Sequence, residues 1–271
     1  MEAMSTRPVA GAWRRLTGWI PAGIAQTVAS FAVAVLLWEI TAHFIVKSPI
    51  FFVPLEQIVL KAIALWKSGE LKNDMLVSGI EFASGFGLAT VVGVLIGVGL
   101  AGSRVARRFF EPWISMLYAT PIIALGPLFI LAFGIGVWSK IIIIFLTAVF
   151  PIIINTVAGL TTTDRHLIEA ARSFGATPAQ IQVKVRIPAA LPFIIAGLRL
   201  GVARALVGVV VAELFGARAG LGFLILTSAQ NFDTAALFVG VLVLAIAGVV
   251  SVEFLKWLEA RLAPWRQEDN Q

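Results

Sequence analysis

The sequence predicts an all-α membrane protein with six transmembrane helices, and two observations support this fold class. Apolar residues make up 59% of the 271 residues and charged residues only 13%, which leaves too few charges to coat a water-soluble domain. In addition, six apolar segments are about as long as the roughly 20 residues that a helix needs to cross a bilayer. These segments are residues 24–46, 82–103, 112–139, 141–160, 189–212 and 235–252.

The first segment, 24–46, is interpreted as a permanent anchor. Its apolar part is too long for a cleaved signal peptide, and no small-residue cleavage site follows it before Lys47. In the next stretch, 47–74, apolar residues recur at helical spacing among lysines, which predicts an amphipathic helix along the outer membrane face. Its apolar stripe consists of Leu55, Ile58, Val59, Ala62, Ile63 and Trp66.

Glycines and prolines predict how the next segments pack. Gly93 and Gly97 are four residues apart, with Gly85 and Gly87 before them, so the second segment is expected to approach a neighbouring helix closely. Prolines interrupt the helical hydrogen-bond ladder, which predicts kinked spans around a cavity. They are Pro121, Pro127 and Pro151.

The distribution of Lys and Arg predicts the orientation of the segments, because basic residues concentrate in cytoplasmic loops. Thirteen lie on the side of both termini: Arg7, Arg14, Arg15, Arg104, Arg107, Arg108, Arg165, Arg172, Lys184, Arg186, Lys256, Arg261 and Arg266. Six lie on the opposite side: Lys47, Lys61, Lys67, Lys72, Lys140 and Arg218. Both termini are therefore predicted to be cytoplasmic, and the net charge of +6 is a topology signal, not a nucleic-acid-binding patch.

The loop 161–188 between the fourth and fifth segments predicts two short helices joined by a tight elbow. Asp164 is expected to cap the first helix and Gly175 to stop it in a left-handed conformation. Thr177 and Gln180 are spaced as a capping box for the second helix, which Pro188 is expected to end. The predicted product is a helical knob whose tip another protein could approach closely.

This loop carries a family resemblance. Glu169-Ala170-Ala171, then three residues, Gly175, nine residues and Val185-Arg186-Ile187-Pro188 resemble the EAA motif of membrane subunits of ATP-binding-cassette (ABC) importers. Further matching stretches span about residues 80–225 and resemble the branch of nitrate, sulfonate, taurine and bicarbonate permeases, among them Tyr118-Ala119-Thr120-Pro121 and Gly220-Leu221-Gly222. Three residues depart from the family pattern: Val185, Ile187 and Glu81.

The resemblance implies a type I ABC importer (MetI-like) permease fold and a set of partners. The implied complex has two permease copies, with a homodimer preferred, two ATPase subunits that bind ATP-Mg, and an extracytoplasmic substrate-binding protein. It lies in a bacterial inner membrane, and its coupling residues are Glu169, Ala170, Ala171, Gly175 and Pro188. The chain would divide into a cytoplasmic segment 1–23, a permease domain 24–257 and a cytoplasmic tail 258–271.

The fifth segment contains Arg199 and Arg204, which lie about 140° apart on a helix. Arg204 shares a small-residue stripe with Gly197, Gly201 and Gly208 and is expected to pack inside the bundle or against a second subunit. We hypothesise that Arg204 lines the translocation path of an anionic substrate. The alternative is a structural arginine paired with Glu213 or with backbone carbonyls.

Asn155 and Glu213 are further candidates for the translocation path. Each could instead form a hydrogen bond between helices.

Other activities lack the residues that they would need. The chain has no cysteine and two histidines, His43 and His166, so no catalytic or metal site is expected, nor any bound cofactor. No G-x-x-x-x-G-K-[ST] phosphate loop occurs, so ATP hydrolysis is assigned to another polypeptide. The competing function is a six-span secondary carrier or channel that works without an ATPase. Small anions such as sulfonate, nitrate or taurine are the preferred substrates, ahead of heterocyclic vitamin precursors and aromatic acids.

Overall fold

The computed structural model describes residues 22–46, 48 and 50–266. Most of the predicted N-terminal segment 1–23, Lys47 and the end of the predicted tail 258–271 lie outside the described residues. The chain divides into two compact units, Met1–Leu60 and Lys61–Gln271, and each is considered by itself.

The first unit contains an apolar helix, α1 (Ala22–Ile40), which continues into a wider π-helical turn, Thr41–Ile45. Glu39, in α1, has a structural partner. Its Oε1 accepts a hydrogen bond of 2.8 Å from the backbone N–H of Leu55, where helix α2 (Leu55–Ser68) begins. Trp38 Nε1 donates to the Val53 carbonyl at 3.0 Å. The one carboxylate of the predicted anchor therefore satisfies a free N–H at a helix start.

Helix α2 confirms the predicted helix in this stretch, and it buries Ile58 and Leu65 while exposing Val59, Ile63 and Trp66. Its placement along a membrane face stays a prediction.

The second unit is all helical in its described residues. Its elements after α2 are α3 (Glu70–Gly102), α4 (Arg104–Ala119), a 3-10 turn (Ile122–Leu125), α5 (Gly126–Phe133), α6 (Val137–Thr161), α7 (Arg165–Ser173), α8 (Pro178–Ile181), a π-helical turn (Gln182–Arg186), α9 (Ile187–Gly216), α10 (Leu221–Gln230), α11 (Thr234–Leu262) and a 3-10 turn (Pro264–Arg266). Five helices of the described chain are long and apolar enough to cross a membrane, and a bent pair brings the count to six.

The bent pair corrects the predicted third segment, 112–139. Arg104–Ala119 and Ile122–Phe133 meet at 75° instead of forming one straight span. Pro121, which has no N–H to donate, lies at this break, and Gly134 ends α5 at φ +77°. The next helix starts at Val137. Lys140 is therefore buried in α6, whereas the count of basic residues had placed it outside the spans, on the outer side.

Helix α6 lies at the centre of the second unit, between α3 and α9. A Cβ atom added at Gly97 of α3 would lie 2.6 Å from Cβ of Thr156, and Cβ atoms added at Gly85 and Gly93 would lie 2.7 and 2.9 Å from side-chain atoms of α6. Gly197, Gly201 and Gly208 of α9 also pack closely against α6, where they meet Asn155, Ile152 and Thr147. The close packing predicted from small residues is confirmed, except at Gly87, where no other atom lies within 4 Å of the added Cβ.

Pro188 does not end a helix, contrary to the prediction. Pro178–Gly216 forms a single helix of 39 residues, and the π-helical turn Gln182–Arg186 lies just before the proline. The Ile187 N–H donates to the Gln182 carbonyl, five residues back, so the helix widens where the proline cannot contribute a bond. The short helix α10 was not predicted, because its ten residues are too few to span a bilayer.

Candidate functional site

The first candidate site is the knob formed by α7 and α8, and its elbow is built from backbone bonds. The Gly175 N–H donates to the Arg172 carbonyl at 2.8 Å, and the Ala176 N–H donates to the Ala171 carbonyl at 3.0 Å. These two bonds form a Schellman motif, with Gly175 at φ +77°. A Cβ at Gly175 would meet no atom within 4 Å, so the left-handed backbone, not crowding, favours glycine here.

Both helices of the knob have the predicted caps. Asp164 accepts a hydrogen bond of 2.8 Å from the His166 N–H and so caps α7. The Gln180 N–H donates to Thr177 Oγ1 at 3.3 Å, and the Thr177 N–H donates to Gln180 Oε1 at 2.9 Å. A complete capping box therefore follows the Schellman motif directly, and the elbow has a defined shape.

The surface of the knob is exposed and mixed in polarity. Glu169 forms an ion pair with Arg165 one turn away, Ala170 is exposed, and Ala171 is partly buried. Phe174, at the elbow, is 93% exposed, although it is a large apolar side chain. An exposed aromatic ring beside small residues is typical of a protein contact surface.

The second candidate site is a pocket beside Arg204. Its volume is about 80 Å³, and Arg204 of α9 lines it together with Tyr118 and Thr120 at the break after α4 and with Thr147 and Phe150 of α6. The Arg204 guanidinium carbon lies 5.7 Å from the centre of the Tyr118 ring. Arg204 is exposed in this chain, so it lies at the edge of the predicted small-residue stripe, while Gly197, Gly201 and Gly208 are buried.

Arg199 and Glu213 have partners of their own, and Arg204 is not one of them. Arg199 forms an ion pair with Glu259 of α11. Glu213 is fully buried and accepts a hydrogen bond of 2.6 Å from the Ser78 hydroxyl. The predicted alternative of an Arg204–Glu213 pair is therefore not formed.

Glu213 belongs instead to a buried polar cluster that holds the start of α10. The Gly222 N–H donates to Glu213 at 2.6 Å, the Gly220 N–H to Asp74 at 2.8 Å, and the Leu221 N–H to Ser78 at 2.8 Å. Side chains of α3 and α9 thus satisfy the N–H groups that any helix leaves unpaired at its N-terminus. Glu213 was a candidate either for the translocation path or for a hydrogen bond between helices. In the structure it forms hydrogen bonds to α3 and α10.

Sequence reasoning missed Asp74, Ser78, Glu81 and Lys140 as members of this end of the bundle. The signal was available, because Asp74, Ser78 and Glu81 recur at i, i+4 and i+7, and Gly85, Ala89, Gly93 and Gly97 continue the same helical face. All of these α3 residues are buried against their neighbours.

Asn155 lies apart from the pocket. Its side-chain amide donates to the Pro151 carbonyl of its own helix at 2.8 Å, and its Cβ faces Gly197 of α9. Asn155 is not among the residues that line the pocket beside Arg204. In the described part of the chain, no group of three or more His, Asp or Glu side chains could hold a metal ion.

Comparison with known proteins gives a consistent result. Residues 89–266 match the family described as binding-protein-dependent transport system inner membrane component. A protein named aliphatic sulfonates transport permease protein SsuC, from Bacillus subtilis, is 37% identical over 87% of this chain and 85% of its own length. The taurine transport system permease protein TauC of Escherichia coli is 30% identical over 90% of this chain and 91% of its own length.

Two further similarities bear on substrate and fold. The formylaminopyrimidine transport permease protein ThiX of Halalkalibacterium halodurans is 33% identical over 88% of this chain and 94% of its own length. A chain from an inward-facing structure of the MetNI methionine ABC transporter has a TM-score of 0.62 at 21% identity and covers 71% of this chain and 95% of that chain. The fold class expected from the sequence, an all-helical type I importer permease, is confirmed.

Proposed function

Because the chain belongs to the family of inner membrane components of binding-protein-dependent transport systems, we propose that it forms the translocation path of an ATP-driven importer for a small anion. In this proposal, a separate pair of ATPase subunits holds ATP-Mg, and an extracytoplasmic binding protein delivers the substrate. The chain itself hydrolyses nothing, in keeping with the lack of a phosphate loop in its sequence. Both termini and the knob face the cytoplasm, as the basic residues favour.

One observation carries the coupling part of this proposal: α8, the second helix of the knob, is the first part of the helix that enters the core. Pro178–Gly216 runs without a break from the elbow through the whole of α9. A displacement of the knob therefore moves α9, on which Arg204 and Glu213 lie. A Pro188 that ended the helix would have separated the knob from the core.

The surface of the knob supports docking to an ATPase subunit. Glu169, Ala170 and Ala171 follow one another on α7, and Gly175 and Phe174 form the exposed elbow. When the ATPase subunits close on ATP, the two knobs of the complex approach each other and the spans open outward. Hydrolysis then reverses the movement.

A second copy of the chain is the proposed partner of the broken span. Helix α4 has no buried residue within the chain, although Phe109, Trp113 and Met116 are large and apolar. In a membrane protein such a face contacts either lipid or another subunit. We assign it to the second permease, with a homodimer as the simplest assembly.

The elbow provides the test of the proposed function. Gly175→Val forces a β-branched residue into a left-handed backbone and should abolish ATPase stimulation by the loaded binding protein, with the permease still inserted. Gly175→Asn is the matched control, since asparagine tolerates that conformation, and it should retain most of the stimulation. Phe174→Ser should weaken co-purification of the ATPase subunit.

The competing function, a carrier or channel without an ATPase, predicts a different outcome. Uptake into proteoliposomes would then proceed without ATP, and the Gly175→Val variant would transport like the wild type. That result, with no ATPase subunit co-purifying, would exclude the proposed function.

A further inference from the structure

The turn between α10 and α11 has a bulky residue where a helix stop usually has glycine. The Phe232 N–H donates to the Ala229 carbonyl at 3.2 Å, and the Asp233 N–H donates to the Ser228 carbonyl at 2.8 Å. These two bonds form the same Schellman motif as the bonds at Gly175. Phe232 accordingly has a left-handed backbone, with φ +56°, and in the described part of the chain it is the one non-glycine residue with a positive φ.

Phe232 at this position costs free energy in two ways. A left-handed backbone brings the Cβ atom of an L-residue too close to a carbonyl oxygen, and glycine or asparagine would avoid most of this cost. The Phe232 side chain is also 71% exposed, so its ring gains little from burial within the chain. Strained backbone of this kind persists at binding sites, and here it presents an exposed ring that a partner could bury.

The turn has a defined shape, because Asp233 holds it on the side of α11. The Asp233 side chain accepts a hydrogen bond of 3.1 Å from the Ala236 N–H and so caps α11. It also forms an ion pair with Lys61 of α2. The Phe232 ring is therefore presented on a preorganised support, which reduces the entropy that is lost when a partner binds.

The turn lies at the end of the second unit opposite the knob. Helix α9 runs for 30 residues away from the knob, and α11 returns for 29 residues from the turn. The Arg199–Glu259 ion pair joins the first half of α9 to the last turns of α11, so the two helices are antiparallel. In the proposed function the knob meets the ATPase subunits in the cytoplasm, and the turn consequently lies at the extracytoplasmic end.

The surface at this end carries an excess of positive charge. Lys67, Lys72 and Arg218 are exposed, and none of them belongs to an ion pair among the described residues. Glu70 is exposed as well and offsets one of these charges. A ring that is bordered by polar and charged groups fits a protein contact better than the hydrocarbon of a bilayer. The charges favour a partner whose contact face is acidic.

We infer that the Phe232 turn is a contact point for the extracytoplasmic binding protein, with the ring inserted into an apolar hollow that acidic side chains border. The inference rests on the proposed function and names the surface on which one of its partners docks. A contact at Phe232 acts directly on α10, whose start is held by Asp74, Ser78 and Glu213. Since Glu213 belongs to α9, the binding protein thereby acts on the same continuous helix that contains α8 of the knob.

Stimulation of ATP hydrolysis tests this inference in the complex of the full-length permease with its ATPase subunits. The probe is the purified extracytoplasmic binding protein, with the ligand that it carries on purification, added over a range of concentrations. Phe232→Asn removes the ring but keeps the left-handed turn, so half-maximal stimulation should require at least about tenfold more binding protein. Phe232→Tyr is the matched control, because it keeps an aromatic ring on the same backbone, and it should respond like the wild type. Hydrolysis without binding protein should be unchanged in both variants.

Thermal unfolding separates a contact role of the ring from a structural one. Because asparagine tolerates the left-handed backbone, Phe232→Asn should unfold at or above the midpoint of the wild type while it needs more binding protein. A clearly lower midpoint would show that the ring stabilises the chain itself, and the inference would then be wrong.

Charge reversal tests the acidic border of the hollow. Arg218→Glu should raise the concentration of binding protein needed for half-maximal stimulation, and the increase should shrink at high salt, which screens exposed charges. An Arg218→Glu variant that responds like the wild type would contradict the acidic border.

The same measurements identify other occupants of the turn. A defect of Phe232→Asn that occurs in nanodiscs but not in detergent would indicate a lipid contact, and a smaller fraction of permease dimer on size exclusion would indicate a contact between copies. Either result, or a Phe232→Asn variant that is stimulated like the wild type, overturns the inference. Failure of the proposed function is distinguishable, because the wild type itself would then not be stimulated by the binding protein.

Discussion

Lys140 Nζ donates a hydrogen bond of 2.6 Å to Glu81 Oε1, and the two side chains are 8% and 1% exposed between α6 and α3. Glu81, which departs from the family pattern, is thus matched by a base on the neighbouring helix. It lies at the same end of the bundle as the cluster of Asp74, Ser78 and Glu213. Together these contacts fix the end of α3 to α6, α9 and the start of α10.

Breaking one half of the Glu81–Lys140 pair should destabilise the protein strongly. Glu81→Gln leaves a buried ammonium without its counter-charge, at a cost of about 3–5 kcal/mol. The double variant Glu81→Leu/Lys140→Met removes both charges and should recover most of the stability. Thermal unfolding in detergent, followed by the monodisperse fraction on size exclusion, measures both. A double variant as unstable as the single one would contradict the pairing.

Ser78 has two buried hydrogen bonds, one to Glu213 and one from the Leu221 N–H, so its loss should loosen α10. Ser78→Ala is expected to cost about 1–3 kcal/mol, since it leaves buried polar groups unpaired. Ser251→Ala is the control, because that hydroxyl donates only to the Ala247 carbonyl of its own helix. Equal shifts of the unfolding midpoint in the two variants would show that the cluster does not hold α10.

Substituting alanine at Gly97 and at Gly99 tests helix packing, because the two substitutions should change the stability in opposite directions. Gly97→Ala places a Cβ 2.6 Å from Cβ of Thr156, and the resulting overpacking should destabilise the protein by about 1–3 kcal/mol. Gly99→Ala meets no atom within 4 Å and should be neutral or stabilising, because alanine favours the helix. The unfolding midpoints of the two variants provide the comparison. A midpoint for Gly97→Ala at or above that of the wild type would contradict the packing of α3 on α6.

Asp233 and Lys61 form an ion pair outside the spans, with Lys61 Nζ 2.6 Å from Asp233 Oδ2. The stability of the protein at acidic pH should depend on this pair. Burial raises the pKa of Asp233, but the hydrogen bond from Lys61, the Ala236 N–H and the charge of Lys61 outweigh it and lower the pKa below its ordinary 3.8. The pair therefore stabilises the folded state above pH 3.8, and this contribution fades as pH falls from there through the folded pKa.

Asp233→Asn keeps the helix cap and removes the charge. The free energy of unfolding of the wild type should exceed that of this variant by about 0.2–1 kcal/mol at neutral pH, and the difference should narrow as pH falls below 3.8. Unfolding midpoints of both proteins measured from pH 3 to pH 7 give the comparison. A gap that is unchanged at low pH would exclude the Lys61 charge as its cause.

The sequence by itself determined the features whose physics is local. Lipid-length apolar segments, the Asp164 cap, the Gly175 stop and the Thr177–Gln180 capping box depend on residues that are neighbours in the chain, so their pattern is visible before folding. The small-residue faces of α3 and α9 were likewise readable from spacing. The motif in 161–188 was sufficient to suggest the family.

The tertiary structure decided what depends on residues far apart in sequence. Glu81 meets Lys140, Ser78 meets Glu213, and Arg199 meets Glu259 across 59, 135 and 60 positions, and no spacing rule reports such partners. The continuity of Pro178–Gly216 through Pro188 required a π-helical turn, which propensity alone does not reveal. The surroundings of Arg204 were decided in the same way: it forms no ion pair among the described residues, and the fold places it beside Tyr118 and a pocket lined by residues of α4, α6 and α9.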